Sequence, residues 1–207
     1  MSKFSVIIPT MWYSDKIYEN LRRLNDCDEV GEIILIDNNS SLKPIHLPYR
    51  SKLRHLQQER NIYVNPAWNL GVRLSEYEYI CICNDDILFD TDIFQFIQPY
   101  LNEGIYGMST ENYYNREPET PYEIRSIDHR PWGWGCLFFI HKKNYYPIDE
   151  RLKIASGDDW LIKYTKGGAH EIYNLDLQDD KVSTTAIRSE FSGIQKQDIE
   201  LWSQYSH

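Results

Sequence analysis

The sequence predicts one α/β domain with a mostly parallel central sheet flanked by helices. Three observations carry this. Short apolar runs alternate with amphipathic helical runs, the pattern of strand–helix units. Three of the strands end in polar clusters, Pro9-Thr10, Asp37-Asn38 and Asn84-Asp85-Asp86, which a parallel sheet gathers along one edge. A chain of 207 residues, 42% of them hydrophobic, is long enough to bury a core and falls near the usual size of a single domain.

The elements follow in order. Phe4 to Ile8 reads as a strand, and Ser14 caps a helix with Ile17, Leu21 and Leu24 on one face. Glu32 to Ile36 is a second strand, followed by Asp37-Asn38-Asn39-Ser40, a loop with Pro44 and Pro48, and a short strand at Lys52 to Leu56. Asn65-Pro66 pairs a capping side chain with proline at the first helical position, so a helix starts there and buries Trp68, Val72 and Leu74. The strand from Tyr77 runs through Ile80, Cys81, Ile82 and Cys83, and a helix over Asp92 to Leu101 follows.

The second half is less regular. Glu111 to Arg130 is polar and reads as a mobile loop, able to close over a ligand as lids do. After Trp132-Gly133-Trp134-Gly135, Cys136 to Ile140 is an apolar strand. Gly157 opens a helix to about Thr165, His170 to Leu175 is a strand, and Gln195 to Gln204 is the last helix.

A formal charge of −9 argues against a nucleic-acid partner, which calls for a basic footprint. No apolar run approaches the roughly 20 residues needed to span a bilayer, and the run Val6 to Ile8 is too short for a signal peptide. Cys27, Cys81, Cys83 and Cys136 lack metal-finger spacing, which favours reduced, mostly buried thiols and a cytoplasmic protein. The aromatic content, with 16 Tyr and 6 Trp, exceeds what a core consumes and suits surfaces that grip sugars or bases.

Asn84-Asp85-Asp86 is the most telling cluster. Adjacent carboxylates repel one another unless compensated, and hard oxygen ligands suit Mg²⁺ or Mn²⁺ together with substrate phosphates. The competing reading is an acidic turn capping the helix that begins near Thr91.

Taken together, VIIPT, EIILIDNNS, NIYVNPAWNLGV before a strand ending in NDD, and GCLFFIHKKNYYPIDERLKIASGDDWLIKY resemble, in that order, the GT-A fold glycosyltransferases of family 2. The resemblance covers roughly Phe4 to Leu175. It implies a donor half at about 1–102 and an acceptor half at about 103–207. Around a nucleotide-sugar donor it places Pro9, Thr10 and Met11, then Asp37 and Asn38, then Asn65 and Asn69, and finally Asn84 and Asp85. Asp37 would accept the N3–H of uracil, favouring UDP, although guanine offers a similar donor; a turn-forming aspartate is the alternative. Asp86 matches the metal-binding position of the family's DXD motif, with Asn84 replacing its first acid, and Asp85 would reach ribose or metal-bound water.

The resemblance also makes Asp159 the general base that activates an acceptor hydroxyl, with inversion, and Asp158 its supporting carboxylate. The alternative is a pair of acids favoured by a helix N-terminus. Trp132 and Trp134 would offer an acceptor-side platform for a glycan, or else fill the core. His170 is read as a surface residue, and Asp179 or Asp180 as a late metal ligand. Two rivals remain. One is a non-catalytic module that binds nucleotide or sugar. The other is a sugar nucleotidyltransferase, disfavoured because Ile8-Pro9-Thr10-Met11-Trp12 has neither glycine nor a basic residue to hold a triphosphate.

Overall fold

Alternation along the first strand sends its side chains into two cores. In β1 (Phe4–Thr10), Phe4, Val6 and Ile8 enter one buried cluster and Ile7 the other, as the two-residue period of a strand requires. The structure, a computed structural model, describes residues 3–39, 41, 51–113, 120–180 and 188–205. Helix α1 (Lys16–Asp26) covers the first cluster with Ile17, Leu21 and Leu24. Helix α2 (Val64–Leu74) covers the second with Ala67, Trp68 and Val72. The sheet therefore carries helices on both faces.

The remaining strands are β2 (Val30–Asp37), β3 (Leu53–Gln57), β4 (Tyr79–Cys83), β5 (Ile87–Phe89), β6 (Ile105–Met108), β7 (Glu123–Ile127), β8 (Leu137–His141), β9 (Ala169–Tyr173) and β10 (Leu177–Asp179). Eight of them form one sheet in the order β3-β2-β1-β4-β8-β6-β9-β7. The first four are mutually parallel, so Thr10, Asp37 and the end of β4 fall on one edge, Thr10 directly opposite Asp37. Beyond β4 the sheet turns mixed: β8 runs antiparallel to both β4 and β6, and β7 antiparallel to β9. A separate two-stranded sheet pairs β10 with β5. The short helices α3 (Ile93–Ile97) and α4 (Gly157–Tyr164) and the long α5 (Ser189–Ser203) complete the chain.

Several elements depart from expectation for identifiable reasons. Helix α3 stops after Ile97 and passes into a 3₁₀ turn over Gln98–Tyr100, where Pro99 has no N–H to continue the ladder. Helix α2 begins at Val64, so Asn65 lies inside its first turn instead of capping it, and Leu74 at its last position is 36% exposed. The segment 111–130 is not all loop. Its residues 123–127 form the edge strand β7, whose outward Glu123–Arg125 pair gave it a polar appearance; charged side chains are a common protection for a sheet edge. Pro44, Pro48 and positions 114–119 lie outside the described residues. The four cysteines are free thiols, as expected.

Candidate active site

A cavity of about 260 Å³ opens at the carboxyl edge of the parallel strands. Pro9, Thr10 and Met11 line it from the end of β1, Asn38 from beyond β2, and Asn84, Asp85 and Asp86 from beyond β4. Tyr63, Val64 and Trp68 add the start of α2, while Arg130, Gly133, Gly135 and Cys136 close it from the second half. Ile154 and Asp158 come from around the start of α4, and Phe191 from α5. Backbone strain gathers here. Trp12, Tyr63 and Ser156 are non-glycine residues with φ of 63°, 68° and 59°, a conformation that persists where surrounding structure enforces it.

The strand ends are tied to one another. Thr10 Oγ1 donates to Asp85 Oδ2 at 2.6 Å and accepts the Trp12 N–H at 2.9 Å. The Asn38 N–H donates to the Thr10 carbonyl at 2.8 Å, and the Asn84 N–H to the Cys136 carbonyl at 2.9 Å. Burial pushes Asp85 up to about 6, partly opposed by the Thr10 hydrogen bond. Asp86 is pushed up to about 7, first by burial and then by the charge of Asp85. Its Oδ1 is buried with no hydrogen-bond partner.

An orphaned, charge-repelled carboxylate oxygen of this kind fits a divalent cation. Among the described residues, however, no group of three or more His, Cys, Asp or Glu is placed to hold one. A cation held here would take Asp86 and fill its shell with phosphate and water oxygens, a habit typical of Mg²⁺. Of the late acids, Asp180, just beyond the end of β10, and Asp179, at its end, both contribute to raising Asp86. Asp180 also accepts from Ser14 Oγ and forms an ion pair with Lys16.

Asp37 does not open into the cavity. Its side chain has no exposed surface; Oδ1 accepts the Asn39 N–H at 2.9 Å, and Oδ2 lies 3.0 Å from His55 Nε2. The turn chemistry of Asp-Asn-Asn-Ser consumes the carboxylate that uracil was expected to meet. Asn38, the next residue, lines the cavity in its place.

The acidic pair of α4 is split. Asp158 lines the cavity and Asp159 does not. Arg130 spans both, 3.3 Å from Asp158 Oδ2 and donating to Asp159 Oδ1 at 2.9 Å. Burial pushes Asp158 up to about 6 against the pull of the Arg130 charge. The carboxylate fits only because position 135 is glycine: a Cβ there would lie 2.6 Å from Asp158 Oδ2.

Three other expected site residues are structural. Trp134 is fully buried, stacks on Phe138 at 5.7 Å and donates its indole N–H to the His170 carbonyl at 2.9 Å, so it has no face for an acceptor. Asn69 is spent on the 145–148 segment, donating to the Ile148 carbonyl and accepting from Tyr145 Oη and the Ile148 N–H. Asn65 is 1% exposed and donates to the Ala155 carbonyl at 3.1 Å. Trp132, by contrast, is 63% exposed beside Tyr113 at 5.3 Å. His170 stacks on Tyr106 at 4.6 Å and is not part of the cavity wall. Arg130 and Phe191 had no motif to announce them; they meet the site only through the fold.

Comparison with curated protein sequences finds no match. Among solved structures, TarS 1–349 from S. aureus superposes with a TM-score of 0.59 at 19% identity, over 82% of this chain and 57% of that one. The same TarS fragment solved with UDP gives 0.59 at 18% identity, over 95% and 64%. HddC from Yersinia pseudotuberculosis gives 0.58 at 16% identity, over 98% and 100%. The chain thus spans a little over half of the TarS fragment and about a third of the longer TarS structure, 35% of which it covers. At such identities these likenesses establish the fold, a GT-A type α/β architecture. The family model for glycosyl transferase family 2 matches residues 5–163, from β1 to the end of α4, and therefore every strand end that builds the cavity. This chain belongs to glycosyl transferase family 2.

Proposed function

We propose that this protein transfers a sugar from a UDP-sugar to a hydroxyl of a glycan acceptor, with inversion and with a divalent metal at Asp86. The observation that carries the reading is one cavity lined by carboxylates from two separate parts of the fold, Asp85-Asp86 beyond β4 and Asp158 on α4. Pro9, Met11 and Asn38 wall the end where the base and ribose belong, and Thr10 fixes Asp85 beside them. The TarS fragment has been solved with UDP-GlcNAc and with UDP, which supports a uridine carrier. Mn²⁺ or Mg²⁺, when bound, supplies Lewis-acid neutralisation of the departing diphosphate.

We assign the base to Asp158 in place of Asp159, because Asp158 is the partner that lines the cavity. A carboxylate held near 6 is a stronger base than an ordinary one and still ionised at neutral pH. The acceptor oxygen attacks the anomeric carbon as the bond from that carbon to the phosphate oxygen breaks. The hydroxyl proton passes to an Asp158 oxygen, and no covalent enzyme intermediate forms. Asp159 holds the Arg130 guanidinium beside Asp158. The free thiols and the lack, among the described residues, of any helix long and apolar enough to cross a membrane favour a cytoplasmic site of action.

Calorimetric titration of UDP, GDP and CMP, each with and without Mn²⁺, tests the donor half. Metal-dependent binding of UDP alone is the expected result. Preference for GDP would point to a guanosine carrier, the nucleoside type of the GMP-PN with which HddC has been solved. No nucleotide binding would leave the non-catalytic module.

A further inference from the structure

Beyond the family-matched residues 5–163 lies α5, and only two of its residues are buried, Phe191 and Asp198. They stand seven positions apart, on one face of the helix. Phe191 forms part of the cavity wall. Asp198, 2% exposed, is spent entirely on backbone. Its Oδ2 accepts the N–H groups of Lys153, Ile154 and Ala155 at 3.1, 2.6 and 2.8 Å, and its Oδ1 accepts Lys153 again at 3.0 Å. Three successive N–H groups turned to one point make an anion-binding nest, and here the anion is a side chain from 43 or more residues later.

The clamped segment leads directly into the acidic pair. Ile154 lines the cavity, Ser156 turns through the left-handed region, and Gly157 begins α4. Asn65 of α2 holds the two outer residues of the same segment by their carbonyls: its N–H donates to the Lys153 carbonyl and its Nδ2 to the Ala155 carbonyl, both at 3.1 Å. Asn65 also packs so closely on α4 that a Cβ at Gly157 would lie 2.2 Å from its Oδ1. The segment 153–155 is thus gripped by α2 through the carbonyls of Lys153 and Ala155 and by α5 through all three amides. Aromatic packing keeps α5 in place, with Trp202 and Tyr205 6.2 and 5.1 Å from Trp160 of α4.

We propose that Asp198 is a positioning residue for transfer: by filling the nest of amides at 153–155 it sets where α4 presents Asp158 to the cavity. This rests on the glycosyltransferase reading above. Misplacing a catalytic group by about 1 Å costs on the order of 10²-fold in rate, so the effect belongs in kcat and not in nucleotide affinity.

The experiment compares wild type, Asp198→Asn and Asp198→Ala in three readouts: kcat for transfer, UDP affinity by calorimetry, and hydrogen exchange at the Ile154 and Ala155 amides. For Asp198→Ala we expect kcat to fall about 10²-fold with UDP affinity held within about twofold. Exchange at the two amides should rise, and added formate, a free carboxylate able to enter the emptied nest, should restore both protection and part of kcat. Asp198→Asn keeps one accepting oxygen and should fall between. A folded Asp198→Ala with wild-type kcat, or a loss of kcat and UDP affinity together that formate does not reverse, overturns the proposal. Should the alanine variant fail to fold, an asparagine variant with unchanged kcat overturns it equally. Absence of transfer in the wild type would instead sink the functional reading, and unchanged amide protection in the variants would still refute the clamp.

Discussion

The two halves of the cavity are made in different ways. The side proposed for the donor is built from the ends of adjacent parallel strands, so Thr10, Asn38 and Asp85 are placed by the sheet and linked by short hydrogen bonds between neighbouring strand ends. The side proposed for the acceptor has no such frame. Arg130 follows an edge strand, Gly135 sits in a 3₁₀ turn, Asp158 opens an eight-residue helix, and Phe191 arrives from the C-terminal helix. A sheet edge tolerates change on one strand without moving the others. An assembly of loops depends on each contact, so substitutions on the acceptor side should cost more catalysis at equal distance from the chemistry.

That contrast can be broken most forcefully at Asp86, the metal ligand proposed above. Asp86→Ala should abolish the Mn²⁺ dependence of UDP binding and lower transfer by at least about 10²-fold, the reach of charge-stabilising groups removed from an active site. Metal-dependent UDP binding that survives the substitution would move the cation to another residue. Gly135→Ala comes next. The new methyl would displace the Asp158 carboxylate, so kcat should drop about tenfold or more while UDP binds normally. A smaller loss would mean that the acceptor wall yields more readily than its packing suggests.

The pH dependence of Asp158 sharpens the comparison further. Its carboxyl is held near 6, above the ordinary carboxylate value of 3.8, so the fold favours the protonated form. Its contribution to stability is fully present below about pH 4 and is lost as pH rises through 6. Transfer should run the other way, rising through about pH 6 as the base ionises. Asp158→Asn should therefore stabilise the protein by roughly 1–2 kcal/mol above pH 7, allowing for its partial exposure and its Arg130 partner, and by nothing near pH 4. Thermal melts at the two pH values read this directly. The smallest effect expected is that of Thr10→Val, which removes the hydroxyl that donates to Asp85 and accepts the Trp12 N–H. About 1–2 kcal/mol of stability and a fewfold change in UDP affinity are the predicted outcome.

The same contrast explains what was legible in the chain. Strand ends in a parallel sheet are local in sequence, so Pro9-Thr10 and Asn84-Asp85-Asp86 declare themselves by following apolar runs, and each lines the cavity. Local turn chemistry could still mislead. Asp37 has the right address, but its carboxylate is spent on Asn39 and His55. Asn65 reads as a helix cap and is instead a staple on Ala155. Trp132 and Trp134 look equivalent in sequence, yet one is mostly exposed and the other wholly buried: Gly133 turns the chain between them at φ 76°, and Trp134 begins the 3₁₀ turn that leads into β8. Arg130, Phe191 and Asp198 carry no signature at all. Arg130 and Asp198 matter through contacts spanning 28 to 45 residues, which periodicity does not encode, and Phe191 through its place in the cavity wall.

Transfer rates for Asp158→Asn and Asp159→Asn, measured side by side at saturating donor, test the central assignment most directly. If the carboxylate that lines the cavity is the base, Asp158→Asn loses about 10²–10⁴-fold in kcat with UDP affinity intact, and Asp159→Asn loses about tenfold through the freed Arg130. The reverse order, with Asp159→Asn the more damaged, would contradict the assignment and return the base to Asp159.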